Sequence, residues 1–383
     1  MVAGLSLYTL QMDYKKKAEE IFGLADISIN GSNPWDIQIH NDAVYAKVFS
    51  GGSLTAGESY MDGDWDVEQL DEFFFRFMRT RMHTKINTIG ILPYVLKARL
   101  LNRQSRSRAF EVGEKHYDLG NDLYQAMLDR RMVYSCAYWK DAKTLDEAQE
   151  HKLDLICRKI GLKAGDTVLD IGCGWGGFSK FAAERYGASV VGTTISTEQA
   201  DLAREKTKGF NVEIRLQDWR DMKNESFKHI VSIGMFEHVG PKNYRAFMEK
   251  VNSLLSEDGL FLLHTITSGS QAARTYTDPW IDTYIFPNGV LPAQLQMDEA
   301  ARGVFVTEDI HNFGAYYDRT LMEWWKNFDA AWPQLSKKYN QRFYRMWKYY
   351  LHYSAGFFRS RNIHLWQIVY SKKGVLGGYM SVR

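Results

Sequence analysis

The chain has 383 residues, enough for two domains or for one large domain with an extension. With 45% hydrophobic and 25% charged residues it reads as globular, and a net charge of only +2 argues against general nucleic-acid binding. Aromatics make up 14%, with 11 Trp and 22 Tyr, a surplus that suits large cores or apolar binding surfaces.

The three cysteines, Cys136, Cys157 and Cys173, are an odd and sparse set. They do not form a disulfide framework and they suit a reducing cytoplasm. The weak apolar stretch near the N-terminus precedes Lys15–Lys17 instead of following a basic segment, unlike a signal peptide. No uninterrupted apolar run reaches the roughly 18 residues of a membrane span, so any membrane contact is expected to be peripheral.

Residues 1–75 read as a small α+β module. Tyr14 to Phe22 has helical character, and Ile27–Ile29 and Ile37–Ile39 alternate like short strands around a turn-rich Asn30–Pro34. Residues 76–115 form a basic linker with ten Lys/Arg against Glu111 and Glu114. It reads either as a solvated helix or as a face on anionic lipid, where each surface Lys/Arg contributes about 1 kcal/mol.

Residues 116–383 read as a larger α/β domain. A helix is expected from Leu145 to Ile160, then apolar strands at Thr167–Ile171, Ser189–Thr193, Val212–Leu216, His229–Ile233 and Leu260–Thr265, with helices between. Such alternation argues a doubly wound, mostly parallel sheet. A long aromatic helix, Tyr339 to Phe358, precedes a last strand at Leu365–Tyr370.

The segment Asp170-Ile171-Gly172-Cys173-Gly174-Trp175-Gly176-Gly177 is the most informative. A buried strand feeds a glycine-rich turn that opens a helix near Phe178, the place where doubly wound sheets bind nucleotides. The spacing departs from the dinucleotide fingerprint. The second strand ends without an acid, so neutral Thr194 and Gln199 are the polar anchors. After the third strand, Asp218 can hydrogen-bond an adenine and Trp219 can stack on it, or Trp219 can be core. The Asp170–Gly174 prefix resembles the first motif of class I S-adenosylmethionine methyltransferases, in which the methionine end lies over the glycine turn.

Further segments are unlike a generic methyltransferase: His116–Asp122, Tyr134-Ser135-Cys136-Ala137-Tyr138-Trp139, Met235–Gly240, Leu262–Ile266, Asp278-Pro279-Trp280, Tyr284–Gly289 and His311–Asp318. Together they resemble the cyclopropane-fatty-acyl-phospholipid synthases and the related mycolic acid cyclopropane synthases, over residues from about 55 to 371. The resemblance implies a class I methyltransferase fold whose last strand is antiparallel, a lipid-engaging N-terminal module, a homodimer, and S-adenosylmethionine as cofactor. Unsaturated phospholipids at the inner membrane face would be the partners. Tyr134, Ser135 and Trp175 would join Asp170, Gly172, Gly174, Thr194, Gln199, Asp218 and Trp219 around the cofactor.

The same resemblance implies a bicarbonate ion as base, held by Cys136, Glu237, His264, Tyr317 and the backbone of Ile266. An alkene is a poor nucleophile and needs a sulfonium methyl donor. Ring closure then needs a base, and water must be kept from the cation. The residues also have plain readings: His264 as a core histidine, Glu237 as a helix cap, Tyr317 as helix-start packing, Cys136 as a small core hydrophobe. Many relatives carry Cys where this chain has Ser354, which disfavours a covalent scheme. No His/Cys/Asp spacing suggests a metal.

Overall fold

The computed structural model describes residues 14–81, 120–269 and 277–383. Most of the basic linker, including Arg99–Arg108, and the start of the His116–Asp122 motif lie outside them. The described chain divides into two compact units. Residues 14–81, 277–287 and 321–362 form one, and residues 120–269, 288–320 and 363–383 the other.

The first unit is mainly helical. Residues 14–23 are helical, as the sequence suggests. The two short N-terminal strands are barely formed: Ile29 and Ile37 make one isolated bridge, and only β1 (Gln38–Ile39) pairs, antiparallel, with β2 (Trp65–Asp66). Side chains take the amides that a ladder would use. The buried Asp36 carboxylate accepts from Ser28 N (2.7 Å) and Asn33 N (2.8 Å), and Asn30 Oδ1 accepts from Ile39 N (2.8 Å). Helices Ala43–Met61, Leu70–Arg79 and Gln341–Arg359 supply the core, where Tyr60, Trp65, Phe74 and Tyr349 meet ring to ring at 4.9–6.3 Å. Gly57 lies against the Trp280 indole with no room for a Cβ. Ser354 sits half-buried on the aromatic helix, which runs two residues later at its start than the sequence suggests.

The second unit is built on a seven-stranded sheet: β3 (Thr167–Ile171), β4 (Ser189–Thr194), β5 (Val212–Leu216), β6 (Phe227–Ile233), β7 (Leu255–Ser268), β8 (Val306–Asn312) and β9 (Ile363–Ser371), in spatial order β5-β4-β3-β6-β7-β9-β8. The first five pair in parallel, and β9 is antiparallel to both neighbours. That is the doubly wound sheet with a reversed last strand expected from the sequence. Its strand order reverses between β3 and β6, and at such a crevice, at the carboxyl ends of the strands, ligands bind. The helix Leu145–Lys159 ends one residue earlier than expected and starts with a capping box between Thr144 and Glu147. Edge strand β8 has no counterpart in the sequence reading. Its residues are mostly polar, and only Asp309 is fully buried, held by Lys159 (3.5 Å) and Arg383 (2.7 Å).

Candidate active site

The glycine turn after β3 has the geometry its sequence demands. Gly172 and Gly174 have φ of 80° and 55°, a region that costs an L-residue about 1–2 kcal/mol. Nothing lies within 4 Å of where a Gly174 Cβ would stand, so this backbone faces open space. Asp170, buried at the end of β3, accepts from Ser179 Oγ (2.7 Å). Burial lifts its carboxyl to about 7 against the opposing pull of Ser179 and Lys152.

The other expected cofactor residues gather along the same carboxyl edge. Thr194, ending β4, donates its hydroxyl to Gln199 Oε1 (2.9 Å), which leaves the Gln199 amide hydrogens as donors. Asp218, after β5, accepts from Arg220 N (2.9 Å) and pairs with its guanidinium (2.7 Å). Trp219 packs edge-on to Phe247 at 5.1 Å with Arg220 over its ring, so it belongs to the core as well as to the strand end. Trp175 donates to Asn121 Oδ1 (2.8 Å) and packs at a tilt on Tyr124 (4.7 Å), whose ring also meets Tyr134.

The expected base residues fall into two linked groups. Glu237 lies in the short 3-10 turn Phe236–His238 after β6, and its Oε1 accepts from Ile266 N on β7 at 2.7 Å. His264, two residues before Ile266 and so on the same face, pairs in register with Ile233 of β6. Its Nδ1 lies 3.2 Å from Gln367 Nε2 on β9, an arrangement in which the amide donates and the ring nitrogen accepts. The structure thus brings Glu237, Ile266 and His264 together. Of the Ile266 backbone, expected at the anion, the N–H is engaged by Glu237.

The second group is Cys136 and Tyr317. Cys136 is fully buried and interacts with Thr320, whose Oγ1 also accepts from Ala137 N (3.2 Å) and Trp139 Nε1 (2.9 Å). Thr320 stands one turn after Tyr317, which is buried at the start of helix Ala315–Leu335. Phe313 joins the groups, with ring centroids 5.8 Å from His264 and 5.3 Å from Tyr138.

Burial drives these groups toward neutrality. It raises Glu237 to about 7, against the Ile266 N–H that favours the carboxylate. It draws His264 well below its ordinary value, helped by the charges of Lys152 and Lys159. It pushes the Cys136 thiol up, against Lys152 and Thr320. Glu237 Oε2 and His264 Nε2 are among the buried side-chain atoms of the described residues that have no hydrogen-bond partner. Such orphans cost about 1–3 kcal/mol each unless a ligand meets them. An acceptor on the carboxylate and a donor on the neutral imidazole fit a small oxyacid anion that carries one hydroxyl. Among the described residues no three His, Cys, Asp or Glu converge as metal ligands.

Sequence reasoning missed Gln367, Thr320 and Lys152. Gln367 reads as one polar position inside an apolar strand. Lys152 reads as solvated on an acidic helix, yet it is fully buried and donates to Ser135 Oγ (2.8 Å).

The family model described as mycolic acid cyclopropane synthetase matches residues 104–368. The cyclopropane-fatty-acyl-phospholipid synthase of Escherichia coli strain K12 is 50% identical over 373 residues, covering 96% of this chain and 95% of that protein. The cyclopropane synthase MmaA2 from Mycobacterium tuberculosis superposes with a TM-score of 0.64 at 32% identity, covering 69% of this chain and 98% of that one. The mycolic acid cyclopropane synthase CmaA1, solved with S-adenosylhomocysteine (SAH), gives 0.63 at 34% identity with the same coverage. With this sheet order, this glycine turn and these matches, the chain belongs to the mycolic acid cyclopropane synthetase family of S-adenosylmethionine-dependent enzymes.

Proposed function

We propose that this enzyme acts on unsaturated phospholipids of a bilayer, adding a methyl carbon to a cis double bond and closing a cyclopropane ring, with bicarbonate as the bound base. It works as a homodimer at the inner membrane face. S-adenosylmethionine supplies an electrophilic methyl group and bicarbonate a small proton acceptor; the rest falls to the protein's own residues. Gly172 and Gly174 let the backbone approach the cofactor, and Thr194, Gln199 and Asp218 offer polar anchors along the strand ends. Glu237 Oε2 is the final seat for the proton that ring closure releases, because a carboxyl near pH 7 can both take and give it. Neutral His264, oriented by Gln367, donates from Nε2. The uncharged Cys136 and the aromatic rings of Phe313, Tyr138 and Tyr316 wall the site, excluding water and tolerating cationic charge.

The observation that carries this reading is the pair of unpartnered buried atoms, Glu237 Oε2 and His264 Nε2. The 50% identity to the Escherichia coli phospholipid enzyme supports the substrate class. Among the described residues no helix is long and apolar enough to cross a membrane. The test is incubation with methyl-labelled S-adenosylmethionine and dioleoylphosphatidylglycerol vesicles, followed by mass spectrometry of the released fatty acids. A gain of one CH₂ is expected, with turnover lowered in bicarbonate-depleted buffer and restored by adding bicarbonate. A product carrying methyl and hydroxyl, or turnover indifferent to bicarbonate, refutes the proposal. Reversing charges within Arg99–Arg108 is expected to weaken sedimentation with these vesicles, most strongly at low salt. Unchanged sedimentation removes that zone as the lipid contact.

A further inference from the structure

The segment leading into Cys136 is fastened from one face of the helix Leu145–Lys159. Gln149 Nε2 donates to Ser135 O (2.9 Å) and Val133 O (3.2 Å), and Lys152 Nζ donates to Ser135 Oγ (2.8 Å). Both side chains are fully buried. Removing an ammonium from water is costly, and a core needs none, so its presence asks for an electrostatic purpose. The acids near it are partly engaged elsewhere: Asp129 accepts from Val133 N (2.8 Å) and Arg131 N (2.9 Å), and Asp170 from Ser179 Oγ.

The contact fixes what Ser135 can do. Its oxygen accepts from Lys152, so its own hydrogen is directed to another acceptor, and the cation makes that hydroxyl a stronger donor. Lys152 is also close enough to Asp170, at the entry to the glycine turn, for their charges to interact. The amino-acid end of S-adenosylmethionine, expected over this turn, carries a carboxylate. We propose that Lys152 is a positioning residue for the cofactor's α-carboxylate: it holds the Ser135 hydroxyl as a donor and supplies positive potential beneath it. Burial draws the ammonium down to about 8, opposed by Asp129, Cys136 and Asp170, so it is charged at neutral pH.

The inference rests on the cofactor assignment, and wild-type binding of SAH checks that assignment separately. Calorimetry compares two ligands: SAH, and S-adenosyl-3-thiopropylamine, which is the same molecule without its carboxyl group. Lys152→Met is expected to weaken SAH at least about tenfold while leaving the amine within about threefold. Ser135→Ala is expected to show the same preference, and the double variant to lose no more than Lys152→Met alone. Equal losses for both ligands mean a merely structural lysine and overturn the proposal, as do additive losses in the double variant. Should Lys152→Met fail to fold, Lys152→Gln and Ser135→Ala with the same ligand pair decide it by the same criteria.

Discussion

Replacing Glu237 by Gln separates the chemical role of this residue from its structural cost. The side chain is buried, and its carboxyl stands at about 7 in place of the ordinary 4.5. That difference corresponds to about 3 kcal/mol. The folded protein holds a proton that the unfolded chain releases, so the full stability is present below about pH 4.5. It declines as the pH rises to 7, and above that the whole of this contribution is lost. Gln keeps an oxygen for Ile266 N and never ionises. Glu237→Gln is therefore expected to match the wild type near pH 4.5–5 and to be up to about 3 kcal/mol more stable at pH 8, less what its new amide donor loses if unpaired. Thermal unfolding across pH 5–8 reads the difference. Over the same range wild-type kcat should rise through a step near 7, and the variant's should lie about 10²–10³ lower without that step. SAH affinity should be unchanged. A stability difference independent of pH, or a wild-type profile with no step near 7, refutes the assignment of Glu237 as proton acceptor.

Gln367→Leu leaves His264 Nδ1 without its partner, so kcat should fall about tenfold with SAH affinity unchanged; a change in affinity alone would contradict this. Gly174→Ala meets no neighbouring atom and pays only for its φ of 55°, so a stability loss of about 1–2 kcal/mol and weaker SAH binding by calorimetry are expected. If binding is unaffected, the turn does not carry the cofactor. All three cysteines are buried, and burial raises each thiol above its ordinary value. At pH 8 the native protein should resist alkylation by iodoacetamide and take up three equivalents only when unfolded. Rapid native labelling would show that the Cys136 environment is open.

Much of the sheet was readable because β3, β4 and β6 each carry an apolar centre (Val168-Leu169, Val190-Val191 and Ile230-Val231) between helical segments, and the turn after β3 because its glycines are demanded by the backbone itself. β8 was not readable: an edge strand needs no apolar alternation, and Val306–Asn312 shows mostly polar residues. The N-terminal strands were over-read because Asp36 and Asn30 satisfy amides that the pattern assigned to a ladder. Glu237, His264, Tyr317 and Cys136 were found through family likeness, since each alone is an ordinary core or cap residue. Lys152 escaped for a physical reason. Placed in Leu-Asp-Glu-Ala-Gln-Glu-His-Lys, it looks like one half of a solvated ion pair on a helix, and only the fold reveals that its turn faces inward.

The charge states of the site form one system. Glu237 is pushed up to about 7, His264 down and Cys136 up, each by loss of water, so at pH 7 the imidazole and the thiol are neutral while Glu237 is divided between its two forms. A lining of low fixed charge suits a reaction that brings a sulfonium cation in and passes through a carbocation, while the Glu237 carboxyl can still take up the released proton. It also means that the lining does not by itself supply the full negative charge of a strong base. The small anion proposed above as the base would provide that charge where the proton leaves. Lys152 and Lys159 are the charged exceptions: both act on His264, and Lys152 also acts on the Cys136 thiol, which stays protonated.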